Sequence, residues 1–327
     1  MPLLRRKQQV AIKQEAAAGT AETLAAANVI RHTGFADWDP DVTVTPRDSL
    51  SGSLSPRGSV TGARAARIRF KQYLRGTVGA PASGTNEAEH TTPFRACGIT
   101  AAFSGTTPNE ISTQTPSSTI ISDETNGSYC TIAVYEDGKR YMIHGAQGDA
   151  TVTFDSGMPV LAEYDFLGVY NEPTDAALLV PTYAAVAPPP FQAATLSVLG
   201  YATARIKTLK LSLGNSLVMR PDPNGLAGFF TAQITGRNPT GSFDPEELLA
   251  ATKNYHNEFI AGAAGSITTG LFPSTGSNYN MFNLTIPAAA YIKVAKGDRE
   301  GLSTLAIDFE CRANSDAGED EFSLVQS

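Results

Sequence analysis

The sequence predicts a mainly β chain built from two strand-rich modules, each carrying one short helix. Three observations carry that prediction. Charged residues make up 17% of the chain against 29 Gly and 20 Pro, a composition of many short strands and turns rather than long solvated helices. Apolar and polar residues alternate with period two in segment after segment. The strand logic of residues 145–175 also returns at 297–316. At 327 residues and 42% hydrophobic content, the chain can fill two cores in domains of roughly 100–200 residues each.

Taken in order, residues 1–36 read as an N-terminal arm. They are rich in Ala, Gln, Lys and Glu, interrupted by Gly19-Thr20, and their apolar positions are too small for a strong buried stripe. Such a segment, helical or extended, has to pack on something else. The first module spans 37–180. It opens with a turn-rich entry at 37–41 around Trp38 and Pro40, then Val42 and Val44 alternate with Thr43 and Thr45 as in a half-buried strand. In 67–75, Ile68, Phe70 and Leu74 share one strand face with Gln72. Arg67, Arg69, Lys71 and Arg75 share the other with Tyr73. A Gly/Ala/Ser loop at 79–84, a short helical candidate at 86–97 disturbed by Pro93, and a polar loop at 105–126 follow. That loop is long enough to suspect a projecting function.

A hairpin is expected across Glu136-Asp137-Gly138, and another across Asp155-Ser156-Gly157. In the strand after the second turn, Ala162, Tyr164 and Phe166 share a core face. Leu161, Glu163, Asp165 and Leu167 share the other.

Pro181 and the run Pro188-Pro189-Pro190 cannot continue a sheet, so 181–191 is a linker. The second module, 192–327, restarts with strands near 193–198, 204–213 and 229–235. One helix carries start signals: Asp244 as N-cap, Pro245 at the first position and Glu247 closing a capping box, with Leu248, Leu249, Tyr255 and Phe259 as its apolar side. A Gly/Thr loop at 262–270 precedes strands near 280–286, 290–295 and 302–312, and an acidic stretch at 316–321. In the last strand, Leu305, Ile307, Phe309 and Cys311 face one way; Ala306, Asp308, Glu310 and Arg312 face the other. Asp308-Phe309 and Asn314 stand at the same offset from one another as Asp165-Phe166 and Asn171. Leu74-Arg75-Gly76 before the first helix resembles Thr235-Gly236-Arg237 before the second. These echoes read as a tandem duplication.

The net charge of −7 is unevenly spread: twelve basic against six acidic residues through Ala80, and the surplus acid downstream. Opposite-signed regions in one chain fit self-association. The row Arg67, Arg69, Lys71 and Arg75 has no interleaved aromatic platform for nucleic acid, so it reads as a solvated or inter-subunit face. Cys97, Cys130 and Cys311 are too few and scattered for a disulfide framework or thiolate site, which fits a reducing compartment. The four His form no HxxxH or HxH pair, and no G-x-S-x-G elbow appears. Glu163 and Asp165 have a spacing that could serve a glycosidase, but Trp38 is the only Trp. No catalytic, cofactor-binding or metal-ligating set is expected. Neither a membrane span nor a secretory signal is expected either.

The succession Lys13-Gln14-Glu15, Gly19-Thr20, Arg47, Leu74-Arg75-Gly76 and Ala96-Cys97-Gly98 resembles the tail tube (major tail) proteins of long-tailed bacteriophages. GFFTAQITGRNPTGSFDPEELL at 228–249 and GDREGLSTLAIDFECRANSDAGEDEFSLV at 297–325 are similar to later passages of that family. The resemblance runs from about Lys7 to Val325 and lies in the order of the motifs, since each alone is a turn or strand signature. It implies tandem tail-tube-type β-sandwich or barrel modules that close into rings, stacked as a hollow conduit for DNA ejection. It also implies a virion location after synthesis in the host cytoplasm, and partners such as the tape measure, tail terminator and distal tail proteins.

DNA would pass through the lumen without specific binding, repelled by acidic strand faces. The candidate lumen-facing acids are Glu163, Asp165, Asp308 and Glu310. If the halves are two modules, three copies make a pseudo-sixfold ring; if they are one elaborated module, six are needed. The competing reading is a carbohydrate-binding β-sandwich of a tail fibre or adhesin. That reading wants aromatic platforms or calcium loops, and 316–321 lacks the loop spacing.

Overall fold

The computed structural model describes residues 3–47, 52, 55, 57–83, 86–104, 111–273 and 279–327. Strand accounts for 53% of the described structure, whose helices are few and short. The first half contains β1 (Gln8–Gln14), β2 (Val29–Ile30), β3 (Thr33–Thr45), β4 (Val60–Tyr73), α1 (Thr91–Ala96), β5 (Ile99–Ser104) and β6 (Ile111–Pro116). It continues with α2 (Thr119–Ser122), β7 (Cys130–Glu136), β8 (Lys139–Asp155), β9 (Leu161–Tyr170) and β10 (Thr174–Asp175). The second half contains β11 (Ser197–Val198), β12 (Tyr201–Ala202), β13 (Ile206–Ser212), β14 (Asn215–Pro221), β15 (Phe229–Arg237) and β16 (Thr240–Pro245). It ends with α3 (Tyr255–Ala261), β17 (Ala264–Thr268), β18 (Phe282–Arg299), β19 (Leu302–Cys311) and β20 (Ser323–Gln326).

Both expected hairpins form. Glu136 pairs with Lys139 across Asp137 and Gly138, both at positive φ, which is the conformation a two-residue turn needs. Across the second turn, Ala150 pairs with Tyr164 and Val152 with Ala162. The central wall is one antiparallel succession, β3–β4–β9–β8–β13–β16–β19–β18. Its apolar face holds Ile68, Phe70, Val152, Phe154, Tyr164, Phe166, Leu209, Leu211, Phe243, Ile307 and Phe309, all buried and all in one cluster. Packed over that face are α1 and the strands β5–β6–β20, which run on into the start of β18. Phe94, Ile99, Leu284 and Leu324 from this layer meet Val152, Phe154 and Leu211 of the wall around one small interior space.

The halves repeat one topology. β4–β9–β8–β7 in the first half corresponds to β16–β19–β18–β17 in the second, with α1 and α3 in the same place in each chain order. The registers match as well. Phe166 sits between Ile68 and Gly148, and Phe309 between Gly241 and Tyr291. Both long strands are irregular close to these positions but on opposite sides of them, β8 between His144 and Gln147, before Gly148, and β18 between Tyr291 and Lys293, after Tyr291. In each half the Phe ring occupies the space a Cβ would take on a cross-strand glycine, Gly148 under Phe166 and Gly241 under Phe309.

Several expectations are corrected. The stretch from Gln8 to Gln14, which the sequence left open as helical or extended, is strand and pairs along its full length with β7. Val10 and Ile12 enter the main core, while Ala11 enters a small cluster with Leu24, Val29, Ala133 and Tyr135. Cross-strand pairing and burial on both faces override helix-forming composition here. The segment 37–41 is regular strand inside β3. The helix does not begin at Asp244, which belongs to β16. Its carboxylate accepts from the main-chain N–H groups of Lys207 and Thr208 (2.9 and 2.8 Å) and meets Arg299 at 2.7 Å, so it serves the irregular start of β13.

The helix starts instead after Asn254, whose side chain accepts from Asn257 N–H, and stops at Gly262 in the left-handed conformation. Of its expected apolar side only Tyr255 is buried; Leu249 is 80% exposed. Within the supposed loop 105–126 lie β6 and α2, and within 262–270 lies β17. Residues 105–110 fall outside the described residues.

One buried carboxylate anchors the end of β1. Glu15 accepts from Thr131 Oγ1 (2.8 Å), Gly145 N–H (2.7 Å) and Gly19 N–H (2.9 Å). Burial nevertheless pushes its carboxyl up to about 7, against an ordinary 4.5. Between those values the folded chain holds a proton that the unfolded chain releases, so this group's contribution to stability falls as pH rises through the window. Denaturant titrations from pH 4 to 8 are expected to show wild type losing stability relative to Glu15→Gln across that interval; parallel curves would refute the assignment. Phe166→Ala and Phe309→Ala, at equivalent core positions, are each expected to cost about 3–5 kcal/mol in urea unfolding.

Candidate functional site

The wall's second face is polar across its whole width. On this face β3 carries Asp37, Asp39 and Asp41, and β4 carries Arg67, Arg69 and Lys71. Next come Glu163 and Asp165 on β9, Asp149, Thr151 and Thr153 on β8, and Lys210 and Ser212 on β13. Thr240 and Ser242 on β16 lead to Asp308 and Glu310 on β19 and Lys293 on β18. Partners opposite one another in antiparallel strands point to the same side, so the ladder brings Glu163, Asp165, Asp308 and Glu310 onto one surface.

The same geometry brings cations beside the acids. Asp165 lies 3.0 Å from Arg67 and 3.3 Å from Arg69, Glu163 pairs with Lys71, and Arg69 also approaches Asp39 at 3.8 Å. In the second half Asp308 is 3.7 Å from Lys293 and Glu310 is 2.6 Å from Arg312. The surface is therefore countercharged rather than purely acidic. Around Asp149, Glu163 and Asp165 it dips into an open cleft of about 320 Å³ rimmed by Phe35 and Asp37. Arg75 stands apart from the other three cations. It lies beyond the end of β4, 3.8 Å from Glu89, and burial holds its guanidinium below the usual arginine range.

A kinked hairpin, β14–β15, folds over part of this face. Ala232, Leu217, Met219 and Phe229 cover Ala65 and Leu167, so Leu167 is buried although it shares a strand face with Asp165. Gln147 secures the hairpin from beneath, accepting from Ile234 N–H at 2.6 Å and donating to Ser128 Oγ at 2.6 Å.

Sequence reasoning did not find Asp149, Lys210 or Lys293 as members of the face, because membership depends on which strands pair. The signal for Asp37 and Asp39 was present as the alternation Asp37, Asp39, Asp41, but Pro40 and Trp38 pointed to a turn. The acids of 316–321 do not converge on one point. Asp320 accepts from Asn314 N–H, Glu319 accepts from Ser118 N–H, and Glu321 pairs with Arg237 at 3.1 Å. Among the described residues no group of three or more His, Cys, Asp or Glu is placed to hold a metal ion.

A search of curated proteins finds no match. The model of the family described as "Phage tail tube protein" matches residues 5–313. A strand-rich chain with a two-faced wall and this match over nearly its whole length belongs to the phage tail tube protein family, as a non-enzymatic structural subunit of the virion tail.

Proposed function

We propose that the chain polymerises as rings of three copies, its halves acting as tandem modules, and that the rings stack into the conduit for DNA ejection. The observation that carries this reading is the wall itself: eight antiparallel strands with one polar face, ending in β3 and in residues 291–299 of β18, whose outer edges have no partner strand among the described residues. Unpaired edges of long amphipathic strands invite association, and closing them into a barrel removes the liability. The matched topology and register of the two halves support the tandem reading, with boundaries at 37–180 and 192–327 and the Pro-rich 181–191 between. A single elaborated module would need six copies instead.

The polar face would line the channel, with Glu163, Asp165, Asp308 and Glu310 toward the DNA. Their neighbouring cations keep the surface from being strongly repulsive while leaving no uninterrupted basic track on which phosphates could settle. Arg67, Arg69 and Lys71 each leave a third or more of the side chain exposed, so we keep them as candidate inter-subunit residues beside their role inside the chain. Arg75 is too enclosed for that role. At its ends the tube would meet the tape measure, tail terminator and distal tail proteins.

Negative-stain microscopy of the purified protein is expected to show tubes or rings, and a persistent monomer would refute the polymer. The mass of a dissociated ring decides between three copies and six. Replacing Glu163, Asp165, Asp308 and Glu310 together by Gln or Asn is expected to leave tubes intact, each exposed pair being worth within about 1 kcal/mol. Those tubes are expected to retain duplex DNA that wild-type tubes release. Equal retention by both would place these acids away from the channel.

A further inference from the structure

Another cleft opens beside the irregular start of β13. It holds about 250 Å³ and is lined by Tyr201, Thr203, Arg205, Glu246, Leu248 and Tyr255. Several elements hold it in place. Tyr201 stands on the return strand of the β11–β12 hairpin, opposite Val198. Arg205 and Glu246 flank the ends of β13 and β16, where the Glu246 N–H donates to the Arg205 carbonyl at 3.0 Å. Tyr255 opens α3. Lys253 ties that helix to the hairpin: its Nζ donates to the carbonyls of Val198 (3.3 Å) and Leu199 (3.0 Å) and to Glu258 Oε1 (2.6 Å).

The charges around the cleft cancel. Arg205, its side chain 81% exposed, stands 3.6 Å from Glu246, and Lys253 is paired with Glu258. An anion would meet the carboxylates and a cation the guanidinium and ammonium, so neither is favoured. What remains unmet is hydrogen bonding. The hydroxyls of Tyr255 and Tyr291 and Oε2 of Glu258 are buried without a hydrogen-bond partner among the described residues. Such groups are costly to leave unpaired. Tyr255 brings this need to the cleft: its residue is 2% exposed, and its ring lies 6.3 Å from that of Tyr291. Burial, with Tyr201 and Glu258 nearby, pushes the Tyr255 hydroxyl up to about 12, so near neutral pH it keeps a proton to donate. The rings of Tyr201 and Tyr255 and the Leu248 side chain supply apolar surface.

We propose that this cleft binds one neutral hexose unit. Such a sugar has an apolar C–H face to lay on a tyrosine ring, and several hydroxyls that each donate and accept. One hydroxyl pairs Tyr255 Oη. Two neighbouring hydroxyls meet the Arg205–Glu246 couple, accepting from the guanidinium and donating to the carboxylate. The volume is below the roughly 300–1,000 Å³ of pockets for drug-sized ligands, which limits the occupant to a single sugar unit. A free sugar and the terminal unit of a surface glycan offer the same chemistry.

The test is a ligand-observed NMR titration of the full-length protein with the methyl glycosides of glucose, galactose, mannose and N-acetylglucosamine. At least one is expected to bind with a Kd of about 1 mM or tighter; binding by none of the four overturns the proposal. Tyr255→Phe removes one hydroxyl and keeps the ring. It is expected to weaken that Kd about fivefold or more while leaving the urea midpoint at or above wild type, because the hydroxyl has no partner in the unliganded fold. Tyr201→Ala, which removes the more accessible ring, is expected to weaken binding at least as much. A Kd unchanged in both variants overturns the site and leaves the tail tube reading intact. Immobilised glycans ending in the same sugar separate the two sources: capture of the protein assigns a surface glycan, binding of the free glycoside alone a cellular sugar, and either supports the cleft.

Discussion

β8 is the strand on which the architecture depends. Its 17 residues reach β7 and then β13 along one edge, and β9 along the other. It thereby joins the two halves into one wall. A strand serving these neighbours, and β10 near its start, must hold its pleat in register for all of them, since a slip of one residue would turn Val152 and Phe154 outward and Thr151 and Thr153 inward. Each neighbouring strand inherits that constraint. The single large core and the continuous polar face are its two consequences.

The polar face shows how a sheet can carry many charges without unfavourable like-charge contacts. Acidic strands alternate with a basic one: β3, then β4, then β9. Cross-strand pairing neutralises these groups at a spacing that solvent still reaches, so the pairs contribute little to stability individually. Their value lies in the field they shape, which is patterned on the scale of strands rather than uniformly negative. A lumen made of such a surface would present phosphates with neither a continuous attraction nor a strong repulsion.

The repeat within the chain is carried by topology more than by residue identity. Gly148 and Gly241 both make room for a core Phe, yet they lie on strands that pair differently, β8 and β16. In each half a glycine leaves the space that a core Phe ring fills. Close packing of interiors explains this, because total volume and patterning are held more strictly than any single side chain. The β14–β15 hairpin lies between β13 and β16, and its apolar residues cover Leu167 and Ala65.

The sequence by itself determined the mainly β class, both hairpins, the core face of Tyr164 and Phe166, and that of Ile307 and Phe309. Each depends on neighbours within a few residues, where period-two alternation and turn chemistry act directly. It also contained the echo between the strands at Asp165 and Asp308. Only the tertiary structure decided that Gln8–Gln14 is strand, that Asp244 serves a strand instead of a helix, and that Arg67, Arg69 and Lys71 stand beside Glu163 and Asp165. Those outcomes depend on partners well beyond the local segment, from 36 residues for Asp244 and Thr208 to 98 for Arg67 and Asp165 and more for β1 and β7. Local propensity is overridden when a distant strand supplies the hydrogen bonds and the burial. Pairing across the sheet is a long-range choice, and no local pattern in this chain encodes it.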